Sequence, residues 1–217
     1  MNCDRPSITL VGGGIVIARG FTESRKEAIR NQLVREGKRL FGKYGLKKTN
    51  IAQLTEAAGI SPAAFYKFFA SKEELYFFIF EKEAMNIQNL ILEQIRSPSE
   101  SIADNFRNAF ATMMSLYKED PFLEQLFQGS DLNQLMLSVS EADISGHVAT
   151  GYRNFTPAFE SLQQEGKVIP VDPKVLITVM QLFFLLNDQR SHFDSDLFDR
   201  AMGLLADWIA GGLTRMN

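Results

Sequence analysis

Between positions 49 and 72 the chain gathers side chains that can donate hydrogen bonds: Thr49, Asn50, Gln53, Ser61, Tyr66, Lys67 and Lys72. Donors of this kind can hold an anion. No nucleophile–base pair and no paired carboxylates stand out anywhere in the sequence, which argues against an enzyme. Metal chemistry is poorly served too. Two distant histidines, His147 and His192, and a lone Cys3 are the wrong inventory for a zinc site. Asp143 and His147 stand four apart on a predicted helix, but that spacing suits a solvated or pH-sensitive pair better than a metal. No metal and no cofactor are expected.

The elements that must position the donors are legible from their caps. Asn50 with Gln53 three residues on is the amide form of a capping box. Ile51, Leu54, Thr55 and Ala58 then share one helical face, and Gly59 suits the left-handed stop. Ser61 caps a second short helix with Pro62 in its first turn, and Ser71 with Glu74 caps a third. Helix, glycine turn and helix make a helix-turn-helix, whose second helix can enter the major groove of DNA. The preceding helix is rich in cations: Arg25, Lys26, Arg30, Arg35, Lys38 and Arg39.

This segment resembles the TetR family of bacterial transcriptional regulators. The resemblance rests on Leu40-Phe41-Gly42-Lys43-Tyr44-Gly45, on Thr49, on the Ala57–Ser61 turn, and on the aromatic run Phe65-Tyr66-Lys67-Phe68-Phe69 closing on Ser71-Lys72-Glu73-Glu74-Leu75. It covers roughly residues 22–80. It implies that Ser61, Pro62, Ala63 and Ala64 form the first turn of a recognition helix, with Tyr66 and Lys67 on its outer face toward phosphates or bases. Thr49, Asn50 and Gln53 should approach the DNA backbone, and Lys72 matches the family's phosphate-contacting lysine. Two departures remove polar groups from base reading. Ala63-Ala64 lacks a common hydroxyl, and Phe68 stands where His or Tyr is frequent, so preference should rest on Tyr66, Lys67 and DNA shape.

Charge divides the chain the same way. From Phe21 to Lys72 eleven Lys/Arg face four Asp/Glu; from Glu73 onward ten face twenty-one. The overall net charge of −3 therefore hides a basic head on an acidic body, and only the head should dock on a polyanion. With 217 residues the chain can bury a sizeable core. A single cysteine allows no intrachain disulfide and suits a reducing cytoplasm. The apolar run Ile8–Ala18, broken by Gly12-Gly13-Gly14, looks strand-like and is too short to span a membrane. It lacks the spacing of a phosphate loop and the cleavage site of a signal peptide. Residues 1–21 read as an extension, 22–82 as the DNA-binding head and 83–217 as the body.

Beyond the head the periodicity is helical throughout, which predicts an all-α fold of about nine helices. The last two helices are apolar on more than one face and need a second burial surface. A second copy of the chain supplies it most simply, and the resemblance implies a dimer through these helices. Met180, Phe184, Leu205 and Trp208 are the seam candidates. The resemblance also implies a ligand cavity among the middle helices, where Phe106, Phe110, Met113, Met114, Phe155 and Phe159 are candidates to line it. Met and Phe there suit a small apolar or aromatic effector. The expected function is a cytoplasmic, homodimeric repressor of a palindromic operator, released by such an effector, with no membrane partner. A ligand-independent architectural or host-factor DNA-binding protein is the alternative.

Overall fold

The computed structural model describes residues 8–11, 14–17, 22–98, 101–128 and 131–214. Among these described residues ten α-helices carry the fold, in keeping with the all-α expectation. The strand-like run forms a short antiparallel hairpin, β1 (Ile8–Val11) on β2 (Gly14–Ile17), with Ile8 opposite Ile17. The head comprises α1 (Glu23–Lys48), α2 (Ile51–Ala58) and α3 (Pro62–Phe65), leading into α4 (Lys72–Ile95). The body continues with α5 (Ile102–Glu119), α6 (Pro121–Gln128), α7 (Asp131–Ser138) and α8 (Glu141–Gln164). It ends with α9 (Pro173–Leu186) and α10 (Ser195–Thr214), joined by a tight 3₁₀ turn (Asn187–His192) that periodicity did not announce. No helix among the described residues is long and apolar enough to cross a membrane.

Head and body share α4, which crosses the 82/83 boundary without a break. At its start Leu75 and Ile79 lie against Gly37 of α1, whose missing side chain makes room: a Cβ there would sit 3.0 Å from Ile79 Cδ1. Further along, Ile87 and Ile91 face the interior of the body. The two units meet closely at Gly42, where a Cβ would lie 2.9 Å from the backbone nitrogen of Phe122 in α6. Around this contact Phe41, Tyr76 and Phe122 form an aromatic chain with centroids 4.9 Å apart at each step. Such ring contacts add to the stabilisation that burial provides.

The ends of α2, α3 and α4 follow their sequence caps. Asn50 Oδ1 accepts from the Gln53 amide at 2.9 Å, and Gln53 Oε1 accepts from the Asn50 amide at 2.9 Å. Gly59 takes φ 67° to close α2. Ser61 and Ser71 each accept from the amide three residues on. The recognition helix is shorter than expected, a single turn that tightens into i→i+3 bonds at Lys67 and Phe68. Packing explains this. Phe65 and Phe69 are both buried in the core, and Arg30 of α1 seizes the Phe68 carbonyl at 3.2 Å. The Arg30 guanidinium also lies 4.5 Å from the ring centroids of Phe69 and Phe78, a cation–π sandwich.

Candidate functional site

The outer surface of the head is built on a joint. Gly45 breaks α1 with φ 76°, a left-handed value suited to glycine. The peptide that follows is gripped from both sides. The Leu46 amide donates to Asp131 Oδ2 at 2.7 Å, and the Leu46 carbonyl accepts from Lys72 Nζ at 2.7 Å. Lys72 also donates to the carbonyls of Thr49 at 2.8 Å and Lys47 at 3.4 Å. Asp131 is only 2% exposed, and Tyr76 Oη donates to the same Oδ2 at 3.3 Å. Burial raises the Asp131 carboxyl above its ordinary value, against the opposing pull of Leu46, Tyr76 and the Lys72 charge.

This geometry corrects two assignments. Thr49 does not reach outward: it is 1% exposed and donates to the Gly45 carbonyl at 2.8 Å. A hydroxyl spent on the frayed end of a helix satisfies an orphan carbonyl. Lys72 caps the end of α1, so its ammonium would have to release carbonyls to meet a phosphate. Asn50 is exposed beside its cap, whereas Gln53 is half-buried with its oxygen tied into the capping box. Ser61, Pro62, Ala63 and Lys67 are exposed and Ala64 half-buried; Tyr66 is 59% exposed. Asn50, Tyr66, Ala70 and Lys72 border a shallow depression of about 350 Å³ between the starts of α2 and α4. Lys47 and Lys48, exposed just after the joint, are cations the sequence reading passed over.

The cations of α1 have other work. Lys38 pairs with Asp120 at 2.6 Å and Glu83 at 3.0 Å, across the head–body contact. Burial lowers its pKa, but the two carboxylates outweigh that and raise it. Arg39 pairs with Glu36 at 2.9 Å. The positive balance of the head is thus partly neutralised along α1 and concentrated near Lys47, Lys48 and Lys67.

In the body a cavity of about 340 Å³ lies among α4, α5, α7, α8 and α9. Of the six candidates, Met113 and Phe155 line it. The other four candidates do not. Phe106 and Phe159 stack on each other at 6.0 Å in solid core, Phe110 packs on Phe183 at 4.4 Å, and Met114 borders a separate groove beside α10. The wall is completed by residues the sequence did not single out, among them Phe77, Phe80, Ile87, Leu132 and Leu135. His147 belongs to this wall; its Nδ1 is bonded to Glu81, not to Asp143, which serves the Ser140 cap of α8.

The seam candidates divide as well. Met180 is buried and lines the cavity, which leaves it little surface to offer a partner. Leu205 is half-buried against the core, and the Phe184 side chain lies outside the described residues. Trp208 is 64% exposed. With it Leu182, Leu185, Leu186, Leu197 and Leu204 leave apolar side chains of α9 and α10 exposed. Exposed apolar surface of this kind is where an interaction surface is sought.

Comparison with known proteins agrees with this architecture. The profile of the bacterial regulatory proteins of the tetR family matches residues 33–77. The nucleoid occlusion factor SlmA of Mannheimia succiniciproducens is 22% identical over 149 residues, 66% of either chain. That match falls just short of two thirds of the relative's length. The HTH-type transcriptional regulator TcmR of Streptomyces glaucescens is 38% identical over 56 residues, 26% of this chain and 25% of that one. Among solved structures, a TetR-family transcriptional regulator from Pectobacterium atrosepticum aligns with a TM-score of 0.72 at 15% identity, over 91% of this chain and all of that one. RolR in complex with resorcinol aligns with a TM-score of 0.60 at 18% identity, over 90% and 99% of the two chains. The helix-turn-helix on its gripped joint, the matched profile and the shared fold point one way: residues 33–77 match the tetR family of bacterial regulatory proteins, and the chain has the fold of solved TetR-family regulators.

Proposed function

We propose that the protein is a homodimeric repressor that leaves a roughly palindromic operator when a small apolar or aromatic effector enters the body cavity. The double hold on Leu46 carries this reading. Asp131, which grips the amide, is the first residue of α7, and Leu132, Leu135 and Met136 of the same helix form the cavity wall. A molecule that displaces α7 therefore disturbs the joint from which α2 and α3 are hung. It shifts the DNA-binding state only by its differential affinity for the two arrangements. A coupling of about 1–3 kcal/mol is typical, or roughly 5–150-fold in operator affinity. The resorcinol bound by RolR supports an aromatic effector.

Residues 22–82 act as the DNA-binding head and 83–217 as the effector and dimer body. In the head Ser61, Pro62, Ala63 and Ala64 enter the groove, Tyr66 and Lys67 meet base edges and phosphates, and Asn50, Gln53, Lys47 and Lys48 follow the backbone. The open faces of α9 and α10 pair with those of a second copy, giving two half-sites. The site of action is the cytoplasm, where the DNA is.

The test begins with footprinting upstream of the protein's own gene, followed by a thermal-shift screen of apolar compounds and operator titrations with the hits. Hits should release the operator, and in Asp131→Ala they should still bind while releasing it less. Compounds that stabilise the protein and leave operator affinity untouched would defeat the gated reading. A second reading is favoured by the SlmA match over 149 residues: a ligand-independent DNA-binding factor. Binding at scattered sites, indifferent to every hit, would select it.

A further inference from the structure

The cavity wall is apolar except at His147 and where two amides converge. Gln88 of α4 and Gln181 of α9 both end at Gly151 of α8: a Cβ on Gly151 would lie 3.9 Å from Gln88 Nε2 and 3.4 Å from Gln181 Nε2. Gly151 is buried and fills none of that space. The orientation of Gln88 is fixed at its other end, since Asn154 Nδ2 donates to Gln88 Oε1 at 2.7 Å. Its own N–H groups are thereby left facing Gly151. One turn earlier on α8, His147 lines the same cavity with Nδ1 bonded to Glu81. Among the described residues, no lysine or arginine lines the cavity.

We propose that this site takes a neutral, largely apolar molecule bearing one hydrogen-bond-accepting oxygen, a phenol, aryl alcohol or ketone, and that Gln88 and Gln181 receive the oxygen beside Gly151. The inference rests on the effector reading above and narrows it. A pure hydrocarbon would expel water from two amides and give them nothing in exchange, and a donor left without an acceptor in an apolar site is costly. An oxygen at Gly151 satisfies both. A carboxylate finds no cation in the wall, and the Glu81 carboxylate stands behind His147 on the same side. The volume of about 340 Å³ is near the lower end of small-molecule sites and suits a ring with a short substituent.

Calorimetric titration of the full-length protein with propylbenzene, 4-propylphenol and 4-propylbenzoate tests this. The phenol should bind roughly tenfold more tightly than the hydrocarbon, the worth of about one net hydrogen bond, and the ionised benzoate should not bind. Gln88→Met and Gln181→Met should each bring the phenol-to-hydrocarbon ratio toward one while leaving propylbenzene affinity within about twofold. Gly151→Ala, which puts a methyl group where the oxygen belongs, should remove the preference independently. Equal binding of phenol and hydrocarbon to the wild type, a ratio that survives all three substitutions, or tightest binding of the benzoate would overturn the amide site and leave the effector reading standing. Failure of all three probes, together with an empty thermal-shift screen, would overturn both.

Discussion

Head and body use their polar side chains in opposite ways. Across residues 49–74 of the head most are tied to backbone: Thr49 to Gly45, Asn50 and Gln53 to each other's amides, Thr55 to Ile51, Ser61 to Ala64, Ser71 to Glu74, Lys72 to Leu46 and Thr49. The body encloses a cavity with apolar walls and leaves an apolar face uncovered. The head is therefore a preorganised surface, which loses little freedom on meeting DNA. The body is compliant where the head is fixed, and Asp131 joins the two.

The largest expected effect breaks the body and spares the head. Trp208→Glu or Leu204→Glu puts a charge in the seam, where it must be buried unpaired or force the subunits apart. The variant should sediment as a helical monomer and lose on the order of a hundredfold in affinity for a full operator, while a half-site is bound as before. An unchanged dimer would show that α10 faces solvent in the working protein.

Next comes the joint. Asp131→Ala strands the buried Leu46 amide and should cost about 1–3 kcal/mol in chemical denaturation, whereas Asp131→Asn keeps an acceptor and should cost less. The two readings sharpen with pH. Because burial raises the Asp131 pKa, the native state holds this proton more tightly than the unfolded chain. Its contribution is fully present below the ordinary value of 3.8 and is lost as pH rises through the elevated native value. Wild type should thus lose stability relative to Asp131→Asn over that rise, and a flat difference curve would show that the carboxylate is better solvated than its burial implies.

Within the head, Lys72→Ala should cost about 1 kcal/mol of stability through the lost caps and weaken specific and random DNA alike. Lys67→Ala should alter preference at a contacted base pair by about 1–3 kcal/mol. Equal losses on every sequence for both would show that Lys67 positions and does not read. The smallest effect concerns salt. Lys47→Ala or Lys48→Ala should each reduce the slope of log affinity against log salt by about 0.9, and an unchanged slope would remove that residue from the phosphate contacts.

What the sequence made legible was local. The caps at Asn50, Ser61 and Ser71 fall where the residue types placed them, because an N-cap is decided within three residues. The breaks at Gly59 and Gly166 follow from positive φ, 67° and 68°. Longer-range choices were not legible. Phe106 and Phe155 have the same periodicity, yet one stacks in solid core and the other borders a cavity, since a cavity is a gap between helices and no single helix records it. Thr49 and Lys72 resemble surface donors until the Gly45 break supplies open carbonyls for them. Gln88 and Gln181 carry no local signal at all; their meaning comes from meeting at a glycine on a third helix.

Trp208 is the chain's one tryptophan, and it stands 64% exposed on the face where two copies would meet. An indole in water emits at longer wavelength than one covered by protein. The intrinsic fluorescence of this chain is therefore a single-position gauge of hydration on α10. A dilution series read at two emission wavelengths would follow assembly without a label, and repeating it with operator fragments would tell whether DNA tightens the pair or merely occupies it.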